Sequence, residues 1–425
     1  MTPKAEKTDP HDCNAAGPGH ELLSVDEALA RIVALTEPLP GVERVAVRGA
    51  LGRVLAADVA AAVDVPPYTN SAMDGFALRG DDLETAARNG LRLVGESFAG
   101  HPYDGPVGEG ECVRIMTGAV MPAGTDTVVM QEATAVDGDT VRVSPGGKPG
   151  MNVRSAGEDL RAGGTALAAG TRLKPVDLGL LASVGIAEVP VRRPVRVAFF
   201  STGDELCSIG EPLREGCLYD SNRYTLYGML TRFGAEVIDL GVVRDTREAI
   251  EQAFRDAAAM ADVVITSGGV SVGEADFVKE TLDRLGGIDF WKIAMKPGKP
   301  LAFGRLDGGA WFFGLPGNPV SVMVTFYQFV RPALRRLSGE TPKPELWLRA
   351  PCLSRLKKGK GRTEFQRGVL TTGPDGQLAV ETTGAQGSGI LHSMSVADCF
   401  IRLPAESGDV EPGTLVDIQP FEGVV

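Results

Sequence analysis

The sequence is poor in the residues that build zinc sites and disulfide frameworks. It has 4 histidines, and its 6 cysteines are scattered along the chain without a Cys-x-x-Cys pair. Zinc-binding modules and disulfide-stapled domains need these residues at short, regular spacings, so the sequence indicates neither class. Scattered cysteines without a disulfide framework are typical of proteins in a reducing compartment. We therefore expect a cytoplasmic protein.

Positive charge and long apolar runs are also scarce. Lys and Arg number 43 against 55 Asp and Glu, and the formal net charge is −12. Proteins that bind nucleic acids or acidic membranes neutralise phosphates with clustered cations, so this balance argues against both partners. No apolar run reaches the roughly 18 residues that span a bilayer, and the N-terminus lacks a signal-peptide core. Any anionic ligand must be held locally, by backbone amides, a few cations or a metal.

Glycine and proline are abundant, at 54 and 28 of the 425 residues. A chain of this length exceeds one ordinary core, so we expect about three or four domains. The pattern of short β-type runs and helical stripes predicts a multidomain protein with α/β and β parts. The predicted division is a disordered tail over 1–20, a helical and β linking domain over 21–65 and 155–192, an inserted β-rich domain over 66–154, an α/β domain with a parallel sheet over 193–338, and a C-terminal β-barrel over 339–425.

Several helix ends carry clear local signals. Ser24-Val-Asp-Glu27 has the form of a capping box and predicts a helix over about 24–36. Asp220 and Gly234 bound a second predicted helix, and a third is predicted over 246–260. The C-terminal segment 346–425 shows no helical period.

The glycine-rich stretch 266–276 is the most distinctive feature of the chain. It follows a β-branched run at 261–265 that predicts a buried parallel strand, and it precedes a helical stripe over 277–285. Glycines there permit positive φ and close approach to a ligand, while free N–H groups at the helix start favour an anion. The stretch therefore predicts a phosphate cradle, although a plain tight turn is the alternative. Its candidate substrate-binding residues are Ser267, Gly268, Gly269, Ser271 and Gly273.

Carboxylates follow the predicted strands of the α/β domain. Asp276 ends the glycine stretch, Asp245 follows the strand at 237–243, and Glu205 lies in the turn after the strand at 195–200. In an open parallel sheet such strand ends share one edge, where ligands bind, and carboxylates beside a phosphate commonly hold Mg²⁺. The three are candidate catalytic residues and Mg²⁺ ligands. The candidate substrate-binding residues in the same turn as Glu205 are Ser201, Thr202 and Gly203.

Two of these carboxylates also fit a purely structural role. Asp276 suits the first turn of the following helix, because a carboxylate there is favoured by the helix dipole. Asp245 suits the N-cap of the helix at 246–260, where Asp245-x-x-Glu248 has the form of a capping box.

Two further turns favour an anion. Lys296 and Lys299 flank a Pro-Gly that fixes their backbone, which places positive charge where an oxyanion can bind, or they are ordinary solvated turn residues. The turn at 314–321 combines glycines and prolines in a shaped loop and adds the candidates Pro316, Asn318 and Ser321. The basic run at 356–362 in the C-terminal segment suits a solvated hairpin, and the alternative is that Arg362, Arg367, Ser388 and Ser393 face an anion.

The β-rich region holds three polar interruptions. Asp74 stands beside Gly75 in a turn that prolines stiffen, and Thr117 stands at a strand end. Both are candidate catalytic residues, and both also suit plain turns. The third interruption, at 151–159, has the character of a solvated loop with an ion pair.

Six motifs occur in order between residues 21 and 420: Asn-Ser-Ala-Met-Asp-Gly at 70–75, Ile-Met-Thr-Gly-Ala at 115–119, Ser-Thr-Gly-Asp-Glu-Leu at 201–206, the glycine stretch at 266–276, Met-Lys-Pro-Gly-Lys-Pro at 295–300 and Leu-Pro-Gly-Asn-Pro-Val-Ser at 315–321. Together they resemble the molybdopterin molybdenumtransferases, the enzyme group that includes the E domain of gephyrin. The resemblance implies an elongated homodimer whose α/β domain binds molybdopterin. Its active cleft lies between that domain of one subunit and the β-rich domain of the other.

The resemblance also implies a reaction. Such an enzyme takes adenylated molybdopterin and molybdate, requires Mg²⁺ and releases AMP as molybdenum is placed on the dithiolene. Other enzymes of molybdenum cofactor biosynthesis are then candidate partners. The molybdate dianion needs fixed donors, for which the candidates are Lys296, Lys299, Ser321, Arg362 and Ser393.

Two alternatives share part of the pattern. A molybdopterin adenylyltransferase has the same α/β domain and glycine loop but is a single domain, whereas this chain has additional β-rich parts. A gephyrin-like scaffold binds partner peptides, but this chain lacks an additional N-terminal domain and a long linker.

Overall fold

A computed structural model describes residues 22–268 and 277–421. The chain forms two compact units, the insert unit Val42–Val191 and the main unit, which comprises Met1–Gly41 and Arg192–Val425. Within the described ranges, no helix combines the length and the apolar character needed to cross a membrane.

The main unit begins with helix α1 (Val25–Leu35), which confirms the helix predicted from the capping box. The Ser24 hydroxyl accepts a hydrogen bond from the Glu27 N–H at 3.1 Å, and the Glu27 carboxylate accepts one from the Ser24 N–H at 2.9 Å. These two bonds satisfy N–H groups that the helix leaves unpaired. Val25, Ala28 and Ile32 bury one face of α1 in the core of the main unit.

The insert unit consists mainly of short strands and turns, as the sequence predicted. Its elements are β1 (Val42–Ala46), β2 (Val59–Ala60), β3 (Asn70–Ser71), β4 (Gly75–Leu78), α2 (Leu83–Arg88), β5 (Leu91–Ser97), β6 (Glu111–Ile115), β7 (Thr127–Met130), β8 (Thr134–Asp137), β9 (Thr140–Val143), β10 (Val153–Arg154), β11 (Thr165–Leu167), α3 (Pro175–Ser183) and β12 (Glu188–Arg192). A 6-stranded sheet has the order β7-β4-β6-β5-β9-β8. The pairs β1–β12, β10–β3 and β11–β2 form separate 2-stranded sheets.

The main unit continues with a regular alternation of strands and helices. Its next elements are β13 (Arg196–Thr202), β14 (Leu206–Cys207), β15 (Leu218–Tyr219), α4 (Ser221–Phe233), β16 (Glu236–Val243), α5 (Arg247–Met260), β17 (Val263–Ser267), α6 (Phe277–Leu285), β18 (Gly286–Lys292), β19 (Met295–Lys296), β20 (Pro300–Leu306), β21 (Trp311–Leu315), α7 (Pro319–Thr325) and α8 (Arg331–Leu337). A π-helical segment, Phe326–Val330, joins α7 to α8.

These strands form a 6-stranded mixed sheet in the order β16-β13-β17-β21-β20-β18. The pairs β16–β13, β13–β17 and β17–β21 are parallel, and β20 and β18 add antiparallel strands at one edge. Successive side chains of a strand point to opposite faces, so β13 contributes to two cores. Phe199 lies in the core that includes Leu226 of α4, and Phe200 lies in the core that includes Phe254 of α5.

The C-terminal part of the main unit is a second 6-stranded sheet. Its elements are β22 (Leu348–Pro351), β23 (Thr363–Thr372), β24 (Leu378–Thr382), α9 (His392–Ser395), β25 (Cys399–Leu403) and β26 (Leu415–Pro420). The order is β19-β23-β25-β26-β22, with β24 paired to β23, and an isolated parallel bridge joins Cys352 to Val380 of β24. The 4-residue helix α9 corrects the expectation that this segment holds no helix.

Candidate functional site

The carboxyl ends of β13, β17 and β21 bring three predicted site segments to one edge of the main sheet. Ser267 pairs in register with Ser201 on one side and with Leu315 on the other. The Gly268 N–H donates to the Leu315 carbonyl at 3.1 Å, with Gly268 at φ +95°. The turn that starts at Pro316 therefore lies beside the beginning of the glycine stretch, as the parallel-sheet argument predicted.

Polar atoms without partners are buried at this edge. Ser201, Thr266 and Ser267 are 0–2% exposed. The hydroxyls of Ser201 and Thr266 have no hydrogen-bond partner among the described residues. A buried hydroxyl left without a hydrogen bond costs about 1–3 kcal/mol, so such atoms favour a partner that these residues do not supply. A bound ligand is one source of such a partner.

Part of the predicted site lies outside the described residues. This is so for Gly269, Ser271, Gly273 and Asp276. Thr202 is buried at the end of β13.

Asn222 joins this edge although sequence reasoning did not single it out. It lies in the first turn of α4, where Asp220 is the N-cap and accepts from the Arg223 N–H at 3.2 Å. The Asn222 amide donates to the Ser267 hydroxyl at 3.0 Å and to the Gly317 carbonyl at 2.7 Å. The side-chain carbonyl oxygen of Asn222 and one carboxylate oxygen of Asp220 have no partner among the described residues. The only sequence signal was the Asp-Ser-Asn that starts the helix.

The turn after β13 is shaped around Glu205. Gly203 has φ +147°, and a Cβ there would lie 2.5 Å from Oε2 of Glu205. The Glu205 carboxylate therefore folds back over Gly203, a position that only glycine permits. Asp204 and Glu205 are both exposed.

Asp245 does not cap α5, so the predicted capping box with Glu248 is wrong. The helix begins at Arg247, and the N-cap is Thr246, whose hydroxyl accepts from the Ala249 N–H at 3.4 Å. Because the helix starts one residue later than a cap at Asp245 requires, the Asp245 side chain is left for another role.

Asp245 stands near two other carboxylates. Partial burial raises its pKa, and the negative charges of Asp204 and Glu205 raise it further. The Asp245 N–H also lies 3.4 Å from an Asp204 carboxylate oxygen. A cation would relieve this repulsion, and carboxylate oxygens are the donors that Mg²⁺ prefers. Among the described residues no group of three or more His, Cys, Asp or Glu is placed to hold a metal. The third predicted ligand, Asp276, lies outside them, and Glu205 and Asp245 fit such an ion in chemistry and charge.

The lysine turn borders a cavity of about 490 Å³. Lys296 Nζ lies 3.4 Å from a Glu364 carboxylate oxygen, and the Glu364 side chain is 6% exposed against 52% for Lys296. Arg355 and Lys357 line the same cavity. Gly298, at φ +101°, lets the turn approach Thr325 of α7, because a Cβ there would lie 2.9 Å from the Thr325 hydroxyl. The side chains of Lys296, Arg355 and Lys357 thus surround the buried Glu364 carboxylate at this cavity.

The other predicted anion-binding residues have different surroundings. Lys299 and Arg362 are half-buried, Pro316 and Ser321 are buried, and Asn318 is exposed at the start of α7. Ser393 is 4% exposed, and its hydroxyl accepts from Arg367 Nε at 2.9 Å and donates to the Ile390 carbonyl at 2.6 Å. Its single proton is therefore engaged by the loop that precedes α9.

Asp74 and Thr117 meet within the insert unit. The Asp74 carboxylate accepts from the Thr117 N–H at 2.7 Å and from its hydroxyl at 2.8 Å. These hydrogen bonds lower the pKa of Asp74, the backbone bond most, and Arg114 lowers it further. The result is an ionised carboxylate held at an exposed turn.

A second cavity, of about 480 Å³, lies in the insert unit. Asn70 and Arg154, which pair in register between β3 and β10, line it together with Glu158 and Asp159. The Asn70 side-chain carbonyl oxygen is buried and has no partner among the described residues. The sequence reading of 151–159 as a solvated loop missed this concave, charged surface.

Three parts of the chain match known families. Residues 23–185 match the MoeA N-terminal region (domain I and II), residues 198–336 match a probable molybdopterin binding domain, and residues 349–421 match the MoeA C-terminal region (domain IV). The motifs at 70–75 and 115–119 fall in the first match, and the other four motifs fall in the second.

Known proteins are similar over most of the chain. A molybdopterin molybdenumtransferase of Haemophilus influenzae is 45% identical in an alignment 409 positions long, which covers 94% of this chain and 99% of that protein. Gephyrin of Dictyostelium discoideum is 33% identical in an alignment 451 positions long, which covers 94% of this chain and 62% of gephyrin. The solved structure of a molybdopterin biosynthesis moeA protein from Pyrococcus horikoshii OT3 covers 94% of this chain and 100% of its own, with TM-score 0.82 and 29% identity.

Proposed function

The chain belongs to the molybdopterin molybdenumtransferase family, as its motifs predicted, and we propose that it transfers molybdenum from molybdate to adenylated molybdopterin and releases AMP. The observation that carries this proposal is the shared edge of the main sheet. Buried hydroxyls of Ser201 and Ser267 stand there, and the turn that follows Ser201 carries Glu205, which lies near Asp245. An adenylated substrate needs such a combination of donors for its phosphates and carboxylates for a cation.

Cleavage of the adenylate requires charge neutralisation more than a protein nucleophile. Bound Mg²⁺ would neutralise charge on the phosphate oxygens, and Glu205 and Asp245, with Asp276, would hold it. The hydroxyls of Ser201, Thr202 and Ser267 orient the phosphates as donors. The remaining substrate-binding residues of this proposal lie in the glycine stretch and the turn after β21: Gly203, Gly268, Gly269, Ser271, Gly273, Pro316 and Asn318.

We propose that molybdate binds at the lysine turn. Lys296 and Lys299 supply positive charge, and Ser321 and Arg362 complete the proposed set, which Ser393 would join only by releasing its hydrogen bond to the Ile390 carbonyl. The Lys296 ammonium already pairs with the buried Glu364, so the proposal rests on the excess of cations over this one carboxylate at the cavity. The neighbouring cations Arg355 and Lys357 add to the positive potential.

We further propose a cytoplasmic homodimer in which Asp74 and Thr117 complete the active cleft of the neighbouring subunit. The ionised state of Asp74 supports a catalytic role. Mixing Asp74→Ala subunits with Asp276→Ala subunits should then restore activity, because each mixed dimer keeps one cleft with both carboxylates. Failure of restoration in dimers shown to exchange subunits would exclude the shared cleft.

The proposed domain arrangement is the one expected from the sequence. It has a linking domain at 21–65 and 155–192, an inserted β-rich domain at 66–154, an α/β domain at 193–338 and a C-terminal β-barrel at 339–425. The bridge between Cys352 and Val380 supports closure of the C-terminal sheet into that barrel, because it joins the residue after β22 to the middle of β24, and these are the two edge strands on that side.

The test of function is an incubation with adenylated molybdopterin and Mg²⁺, with and without molybdate. The proposal requires AMP release that depends on both Mg²⁺ and molybdate. Formation of adenylated molybdopterin from ATP, with no molybdate-dependent AMP release, would identify an adenylyltransferase instead. Inactivity in both assays, together with recovery of a specific partner from cell extract, would favour a scaffold.

A further inference from the structure

Glu364 places a buried carboxylate at the cavity beside the lysine turn. It lies in β23, where it pairs in parallel register with Lys296 of β19, and it is 4% exposed. One of its carboxylate oxygens lies 3.4 Å from Lys296 Nζ, and the other accepts a hydrogen bond from Gln366 Nε2 at 3.2 Å. The Gln366 amide also donates to the Lys357 carbonyl at 2.9 Å. These contacts fix the carboxylate next to the Lys296 ammonium.

Neighbouring cations are engaged with other acceptors. Arg367 donates to three backbone carbonyls at 3.0–3.3 Å, and Lys358 Nζ donates to three others at 2.9–3.4 Å. Arg355 lies within 3.5 Å of two exposed carboxylates. The Lys296 side chain, by contrast, is 52% exposed on a flexible stem. It can therefore turn from Glu364 towards an ion that enters the cavity.

This exchange costs the same whichever anion arrives. Lys296 must leave Glu364, whose buried carboxylate then keeps only the Gln366 amide among these two partners. The attraction of the entering ion to the cations around the cavity, however, grows with the charge of that ion. A divalent oxyanion gains about twice the attraction of a monovalent ion for the same loss. The pair thus favours divalent anions over monovalent ones.

We propose that Glu364 is a specificity-determining residue, which keeps monovalent anions such as chloride from Lys296 and admits a divalent oxyanion. This inference rests on the proposed molybdate site at the lysine turn. Glu364 acts through Lys296 and is therefore a positioning residue. Without its charge, Lys296 should bind ions of either class.

The test is molybdate binding by the full-length protein, measured by equilibrium dialysis and metal analysis. It is done in potassium chloride and in potassium glutamate, both at an ionic strength of about 0.15 M, so that screening is equal. The wild-type protein should give the same Kd in both salts. Glu364→Gln should bind molybdate about tenfold more tightly in glutamate, a gain of about 1.4 kcal/mol, because the competing charge is gone. Chloride should remove most of this gain.

Two further variants separate the position of the charge from its loss. Glu364→Asp keeps the charge and should restore a Kd that does not depend on the salt. The matched control Glu236→Gln also removes one negative charge and breaks an ion pair, the 3.0 Å contact of Glu236 with Arg196, and should behave as the wild type. Competition by chloride in the wild-type protein would overturn the proposal. So would a Glu364→Gln protein of native circular dichroism with the wild-type Kd in both salts.

The AMP-release assay distinguishes this inference from the proposed function. Tighter, chloride-sensitive binding in Glu364→Gln, without molybdate-dependent AMP release by the wild type, would refute the enzymatic proposal and support the role of Glu364. Molybdate-dependent AMP release by the wild type, with unchanged binding in Glu364→Gln, would refute only the role of Glu364. Absence of molybdate binding in both proteins would overturn this inference whatever the AMP assay gives.

Discussion

Replacing Gly203 by alanine tests whether the turn after β13 positions Glu205. A Cβ at Gly203 would lie 2.5 Å from Oε2 of Glu205 and 2.8 Å from its carboxyl carbon. Both distances are shorter than a van der Waals contact, so one partner must move. The carboxylate ends a flexible side chain, and we expect it to swing away while the backbone stays in place.

Two magnitudes follow from this geometry. Gly203 has φ +147°, and holding a residue with a side chain in such a region costs about 1–3 kcal/mol, which sets the expected loss of stability. Misplacing a catalytic group by about 1 Å can cost on the order of 100-fold in rate. The AMP-release rate should therefore fall by about that factor, which corresponds to roughly 2.7 kcal/mol of transition-state stabilisation.

Gly234→Ala is the matched control. Gly234 ends α4 with φ +88°, and nothing lies within 4 Å of a Cβ built there. Alanine at this position should cost about 1–2 kcal/mol of stability through the same kind of backbone strain. Its AMP-release rate should match that of the wild type. Urea unfolding and steady-state AMP release, measured on both variants, separate strain from displacement. A Gly203→Ala protein with the full rate, or equal rate losses in both variants, would refute the reasoning.

Three further predictions concern stability and the carboxylate roles. Asp262→Asn should cost about 1.5–3 kcal/mol at neutral pH, because Asp262 accepts two hydrogen bonds of 2.7 Å from Arg193. Burial raises the pKa of Asp262 but the Arg193 contacts lower it below its ordinary value, so in urea unfolding this difference should shrink as the pH falls below about 4. Phe254→Ala should lower the free energy of unfolding by about 3–5 kcal/mol in the same measurement. The centroid of the Phe254 ring lies 5.1 Å from that of Phe200 and 5.4 Å from that of Phe312, and both of these rings are buried. Asp245→Asn should abolish AMP release with little loss of stability, whereas Thr246→Ala should lose about 1 kcal/mol and keep its activity.

Local signals predicted many of the helices well. The Ser24–Glu27 capping box starts α1, and Gly234 ends α4 in the left-handed conformation that favours glycine. The apolar residues spaced along one helical face at 277–285 predicted α6. This prediction needed only the periodicity of the local sequence. Each of these features is decided by residues within a few positions of one another.

Features set by distant contacts were harder to predict. Asp245 and Thr246 are both residue types that cap helices well. Because α5 begins at Arg247, Thr246 is the N-cap and Asp245 is not. Arg367 was an anion candidate by composition, yet it is 1% exposed and donates to the carbonyls of Ala385, Gln386 and Gly387. Those acceptors come from a separate loop, which no local pattern predicts.

Candidate site residues show the same division. The sequence singled out Asp74 and Thr117 separately, and their contact arises because β4 and β6 pair in antiparallel register next to them. Asn222 carried only the signal of a helix start. Its role in connecting Ser267 to the Gly317 carbonyl depends on where α4 meets the main sheet.

The most direct test of molybdenum transfer is the amount of molybdenum retained on the pterin for each AMP released. The purified protein is incubated with adenylated molybdopterin, molybdate and Mg²⁺, and the pterin product is isolated for metal analysis. Transfer predicts equimolar molybdenum and AMP, with neither product in an Asp276→Ala protein of native stability. AMP release that leaves the pterin free of molybdenum would contradict the account, because it would reduce the reaction to hydrolysis of the adenylate.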